Sequence, residues 1–191
     1  MRIVGMVLAP GASANSTHEG LLAIERALRD VVAERIDFPY IKAKKRVPDK
    51  AEILIETVVQ ETHRLAEKLG VSTDQIAVGG RSMGGRMASM AVAQGLNAAA
   101  LVLISYPLHP PGKPEKQRVE HFPRIPVPCL FVSGTRDAFG TPEELLQATR
   151  LIKTPPKIVL LEKGNHGLAG LHDQAAAEVT SFITSLNKDC S

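Results

Sequence analysis

The chain has no tryptophan, and aromatic residues make up only 4% of it. With no aromatic side chains interleaved among Lys and Arg there is no platform on which bases could stack. Nucleic-acid binding is therefore not suggested. Cysteine is nearly as scarce: two among 191 residues cannot build a disulfide framework. Cys129 falls in a predicted buried strand and Cys190 in the tail, a usage that fits a reduced, cytoplasmic setting. No apolar run approaches the ~20 residues that span a bilayer, so no membrane partner is expected. The opening stretch, Met1–Pro10, has too short an apolar segment and no small-residue cleavage site for a signal peptide. It reads as the first strand. An excess of one charge is missing too, because 23 Lys and Arg against 20 Asp and Glu leave a net +3. The densest basic stretch, Lys42–Arg46, reads as a solvated loop. No His, Cys, Asp or Glu cluster has metal-ligand spacing, and neither phosphate-loop nor dinucleotide-binding glycine pattern occurs. Neither a metal nor a cofactor is expected.

What is present is one domain's worth of alternating pattern. At 191 residues the chain can bury a substantial single core. Strand-like apolar runs alternate with segments of helical period, the mark of a parallel sheet covered on both faces. The predicted strands are Ile3–Leu8, Arg35–Tyr40, Gln75–Val78, Ala99–Ile104, Val127–Val132 and Lys157–Leu161. Ser16-Thr17-His18-Glu19 has the form of a capping box, and the helical spacing after it continues through Leu21, Ile24 and Leu28 to Val31 and Val32. Asp49 is placed to cap a helix that Gly70 ends. Thr141-Pro142 starts another helix, with Thr as cap and Pro in the first turn. Leu171–Leu186 is the last. The expected architecture is a three-layer α/β/α sandwich around a mostly parallel six-stranded sheet, a single domain over residues 1–191.

The most informative residues are Gly80-Arg81-Ser82-Met83-Gly84. This G-x-S-x-G pattern lies between the apolar run ending at Gly79 and a helical pattern over Met83–Ala93. A serine on such a turn is held strained, with its hydroxyl exposed above the sheet edge. Glycines two before and two after it allow strand and helix to approach closely. An elbow serine needs an acid and a base, in the chain order Ser, Asp or Glu, His. Asp137 follows the fifth strand and His166 follows the sixth, both at the carboxyl edge that carries Ser82. Sites in parallel sheets belong at that edge. In that arrangement His166 takes the serine proton and Asp137 fixes the imidazole tautomer. The oxyanion needs two N–H donors. One is the Met83 backbone at a helix N-terminus, and the other should come from the loop after the first strand, near Gly11-Ala12, with Ala12 as the candidate.

The remaining histidines carry less. His18 and His63 sit in helical pattern and read as surface or packing residues, and His121 and His172 carry no signal. The Ser105–Pro126 segment is long, proline-rich and without period. Such loops are usually either functional or mobile, and its place after the fourth strand puts it at the catalytic edge. It is expected to be a stiff rim of the site, with Tyr106 and His109 as substrate-pocket candidates.

With the elbow, the Gly134-Thr135-Arg136-Asp137 run and the Tyr106-Pro107-Leu108-His109-Pro110-Pro111 loop, the whole chain resembles the α/β-hydrolase superfamily. More narrowly it resembles the small cap-less group labelled dienelactone-hydrolase-like. That group includes a testis-expressed vertebrate protein and the hydrolase-like domain of a histone-acetyltransferase complex subunit. The resemblance implies an esterase-like fold with Ser82, Asp137 and His166 as triad and strand order 2-1-3-4-5-6. It implies no substrate. Two departures stand out. The superfamily's N-terminal hairpin is not expected before the first strand, and Pro10-Gly11 stands where the superfamily usually has the His-Gly that ties down the oxyanion loop. The leading expectation is a serine hydrolase acting on a small ester or related acyl compound. A catalytically silent interaction module and an acyltransferase are the alternatives.

Overall fold

A computed structural model of the chain describes residues 2–188. Cys190 lies outside the described residues. Six strands form one sheet in the order β2-β1-β3-β4-β5-β6. They are β1 (Gly5–Ala9), β2 (Val32–Arg35), β3 (Ile76–Arg81), β4 (Ala100–Ile104), β5 (Cys129–Gly134) and β6 (Lys157–Leu161). Every pairing is parallel. Parallel neighbours need crossover connections, so helices cover both faces.

Alternation along β1 shows how the layers are built. Met6 and Leu8 face a core with Leu21 and Ile24 of α1 (Glu19–Ala27) and Val179 and Phe182 of α6 (His172–Lys188). Val7 and Ala9 face the opposite core, with Val58 and Leu65 of α3 (Ala51–Leu69) and Met87 and Ala91 of α4 (Met83–Ala93). Central strands β3, β4 and β5 are apolar on both faces, as a sheet sandwiched between helices requires. Cys129 is a buried free thiol; burial pushes it up to about 12, so it is a packing residue and not a nucleophile. Among the described residues no helix is long and apolar enough to cross a membrane.

Four local expectations are corrected. The second strand lies at Val32–Arg35 and not at Arg35–Tyr40. As an edge strand it needs little apolar character, and Pro39 instead opens the short helix α2 (Pro39–Lys42), tucking Phe38 and Tyr40 into the core. Helix α1 accordingly stops at Ala27. Its cap is His18, whose ring accepts from the Gly20 N–H at 3.1 Å, while Ser16 binds Asp37 through both its N–H and its hydroxyl. At α3 the cap position is Lys50 with no side-chain bond, because Asp49 stands one residue too early. The capping box at Thr141 and the left-handed Gly70 cap are as expected.

The elbow depends on close approaches of backbone to backbone, one of them at Gly84. Gly84 packs against the end of β1, where an added Cβ would come within 2.3 Å of the Ala9 carbonyl oxygen and 2.6 Å of the Pro10 oxygen. Both obstacles are backbone and cannot swing aside. Gly84→Ala should therefore lower stability by about 1–3 kcal/mol, measured as a shift of the urea midpoint. An unchanged midpoint would contradict this account of the packing.

Candidate active site

Ser82 sits between β3 and α4 with φ 52° and ψ −119°. This is a left-handed backbone that non-glycine residues adopt only when the surroundings enforce it. The Ser82 N–H donates to the Ile104 carbonyl at 2.8 Å, and the Ser82 carbonyl accepts the first bond of α4, from Arg86 N–H at 3.0 Å. Gly80, with φ 155°, takes the strand up to the turn; a Cβ there would lie 2.1 Å from the Ala9 oxygen.

The structure brings Ser82, Asp137 and His166 into one hydrogen-bonded row. His166 Nε2 lies 2.8 Å from Ser82 Oγ. His166 Nδ1 lies 2.9 Å from both Asp137 carboxylate oxygens. A carboxylate can only accept, so Nδ1 carries the proton and donates it to Asp137. Nε2 is then left as the acceptor for the serine hydroxyl. Asp137 is nearly enclosed, at 5% exposure, and Oδ1 also accepts from the Phe139 N–H at 2.8 Å. Each side chain comes from the carboxyl end of a different strand: Ser82 after β3, Asp137 after β5, His166 after β6.

Residues that carried no signal in the sequence complete the arrangement. The Phe139 ring stacks on His166, with centroids 4.0 Å apart and planes 27° apart. Arg81 Nη2 donates to the His166 carbonyl at 2.9 Å. Together they hold the histidine loop from two sides. Tyr40 holds the loop after β1. Its hydroxyl donates to the Ala12 carbonyl at 2.9 Å, its ring stacks near Phe38 at 6.3 Å, and burial pushes its phenol above the ordinary value. The neighbouring peptide is fixed as well, since the Gly11 carbonyl accepts from the Ala14 N–H at 3.1 Å. Peptides are planar and trans, so the Ala12 N–H is turned away from the inside of that turn. A Cβ on Gly11 would lie 3.5 Å from Ser82 Cβ, which puts this loop beside Ser82. Such a hydroxyl, distant in sequence, could be found only by folding the chain.

Ser82 and His166 open onto a cleft of about 500 Å³ that Ala12, Met83, Arg86 and Phe139 help to line. The Ser105–Pro126 loop borders it, through Pro107 and Arg118. The two side chains expected to line it, Tyr106 and His109, are turned away from it. Tyr106 is 2% exposed and packs on Phe122 and Phe131, with its hydroxyl donated to the Arg118 carbonyl at 2.6 Å. His109 binds the Pro110 carbonyl at 2.8 Å and the Glu144 carboxylate at 3.2 Å, tying the loop to the α5 (Pro142–Ala148) cap. Both groups satisfy buried polar atoms inside the loop, and that need turns them away from the cleft. Among the described residues no three His, Cys, Asp or Glu side chains come together as a metal site.

A family profile described as an alpha/beta hydrolase domain matches residues 3–189. The chain belongs to the α/β-hydrolase family. Solved structures of this fold superpose over nearly its whole length. An alpha-beta serine hydrolase homologue from Coxiella burnetii is 15% identical with a TM-score of 0.74, covering 100% of this chain and 86% of that one. A serine hydrolase without lid from Xanthomonas campestris is 15% identical with a TM-score of 0.75, covering 99% and 83%. Est1E from Butyrivibrio proteoclasticus is 15% identical with a TM-score of 0.76, covering 97% and 90%. At such identities the likeness is one of fold. Like the cap-less members, this α/β-hydrolase goes from β4 to β5 through the proline-rich loop and a single 3-10 turn at Phe122–Arg124, with no inserted helical domain.

Proposed function

We propose that this α/β-hydrolase is a serine esterase that cleaves a small carboxylic ester through an acyl-enzyme intermediate. The observation that carries the reading is the row Asp137–His166–Ser82, with every spacing at hydrogen-bond length and Ser82 open to the cleft. As Ser82 Oγ attacks the ester carbonyl, its proton passes to His166 Nε2. The imidazolium that forms stays paired with the Asp137 carboxylate. The tetrahedral oxyanion is received by the Met83 N–H, which as the first residue of α4 has no acceptor within the helix, and by the Ala12 N–H. His166 then gives its proton to the departing alkoxide, leaving an ester on Ser82. Water, deprotonated by the same imidazole, attacks that ester and restores the serine. With no inserted cap the cleft suits small esters presented from solution. A pre-steady-state burst of nitrophenol from a p-nitrophenyl ester, equal to the enzyme concentration, is the result expected of this scheme. Slow release with no burst and no acylated protein by mass spectrometry would count against it.

Tyr40 supplies a second test of the scheme. Tyr40→Phe keeps the ring and its stacking and deletes only the hydroxyl that anchors the Ala12 carbonyl. A hydrogen bond of this kind contributes about 0.5–1.5 kcal/mol. If that goes to positioning the oxyanion donor, kcat should fall by up to about tenfold with KM little changed. A change confined to the melting temperature would make Tyr40 a packing residue only.

A further inference from the structure

Three arginines, Arg81, Arg86 and Arg118, line the cleft beside Ser82, and among the described residues none of them forms an ion pair. Arg86 lies one helical turn beyond Ser82 on α4. Side chains at that spacing share a helix face and lean toward the N-terminus, which carries the Arg86 guanidinium toward the nucleophile. Among the described residues it makes no hydrogen bond and no ion pair, and its Nε is fully buried without a partner. Arg118 faces the same cleft from the proline-rich loop. Its backbone is clamped on both sides: its N–H donates to the Leu108 carbonyl at 2.8 Å and its carbonyl accepts from Tyr106. Beyond a long bond to the Pro107 carbonyl at 3.4 Å its guanidinium is uncommitted. The nearby carboxylate, Glu120, is exposed and pairs with neither arginine. Arg81 differs from these two in that its Nη2 donates to the His166 carbonyl, although its Nε too is buried without a partner.

The surroundings register this uncompensated charge. Burial holds His121, behind the cleft on Ser89, down to about 4, and Arg86 adds to the effect. Burial also lowers Arg118, and again Arg86 contributes. Partly desolvated like charges are costly unless something pairs them. Paired guanidiniums with free donors match the geometry of a carboxylate or phosphate.

Resting on the reading of Ser82 as nucleophile, we infer that the substrate is an anionic ester, with a carboxylate or phosphate that Arg86 and Arg118 bind while its carbonyl lies at Ser82. These arginines select the substrate and take no part in proton transfer.

The test uses three fluorophosphonates of equal chain length, ending in a methyl, a carboxylate or a phosphate group. The readout is the second-order rate of labelling of the intact protein. At least one anionic probe should react about 10–100-fold faster than the methyl probe, the factor expected for charged hydrogen bonds. The carboxylate and phosphate arms show which anion is preferred. That ratio should shrink with added salt and fall toward one in Arg86→Met and Arg118→Met. Arg118→Met, on the loop, carries the comparison alone if Arg86→Met does not fold. A ratio near or below one in the wild type overturns the inference and leaves the serine reading standing. A high ratio unchanged in both variants overturns the role of the arginines. Failure of all three probes to label overturns the reading of Ser82, and this inference with it.

Discussion

Ser82→Ala should lower kcat for an ester by a factor on the order of 10⁶, the scale at which removing the nucleophile of a triad also silences its base. The methyl group that remains cannot attack a carbonyl, and His166 then has no proton to take. The protein should fold as before. Among the described residues the Oγ has one partner, His166 Nε2, and alanine keeps the Cβ, so the backbone strain at φ 52° is unchanged. A small residual rate above that of water is expected from the oxyanion donors and the cleft. Loss of less than tenfold, with the circular dichroism spectrum intact, would mean that hydrolysis runs through another group.

Asp137→Asn should cost about 10²–10⁴ in kcat. An asparagine amide can present its NH₂ to His166 Nδ1, which then becomes the acceptor and moves the ring proton to Nε2. In that tautomer Nε2 cannot accept from Ser82. The substitution is close to isosteric, and the amide oxygen can still accept from the Phe139 N–H, so the turn after β5 should survive. The loss should therefore fall on kcat, with denaturant stability little altered. Unchanged turnover would assign the acid role elsewhere. Glu162, exposed just after β6, would be the first alternative to replace.

The parts legible in the sequence were those set by local rules. The strand order came with the resemblance to α/β-hydrolases, whereas the places of Ser82, Asp137 and His166 follow from counting β-α units along a parallel sheet. In such a sheet every strand's carboxyl end points to the same edge. The elbow was legible because its glycines answer a local steric demand, seen in the contact of Gly84 with the Ala9 and Pro10 backbone. The errors have a common cause. Val32–Arg35 is an edge strand with little apolar signal, whereas Ile36, Phe38 and Tyr40 are apolar because they are buried without being strand. Tyr106 and His109 were expected at the cleft because the loop that carries them follows the strand beside the elbow strand, at the catalytic edge. Their polar atoms had to be satisfied within a loop that is itself half-buried, and they turned inward to Arg118, Pro110 and Glu144. What the loop offers the cleft instead is Arg118, which no local pattern marks. The anchoring of the loop after β1 by Tyr40 joins residues 28 apart. Contacts of that kind exist only once the chain has folded.

The central claim is that Ser82 is a nucleophile activated by His166, and covalent trapping tests it most directly. The folded protein is incubated with a neutral fluorophosphonate, digested, and the adduct located by mass spectrometry. The account predicts one adduct per chain, on the peptide bearing Ser82, at a rate that falls sharply in Asp137→Asn and vanishes in Ser82→Ala. An adduct on any other residue, or none on a protein shown to be folded, would contradict it.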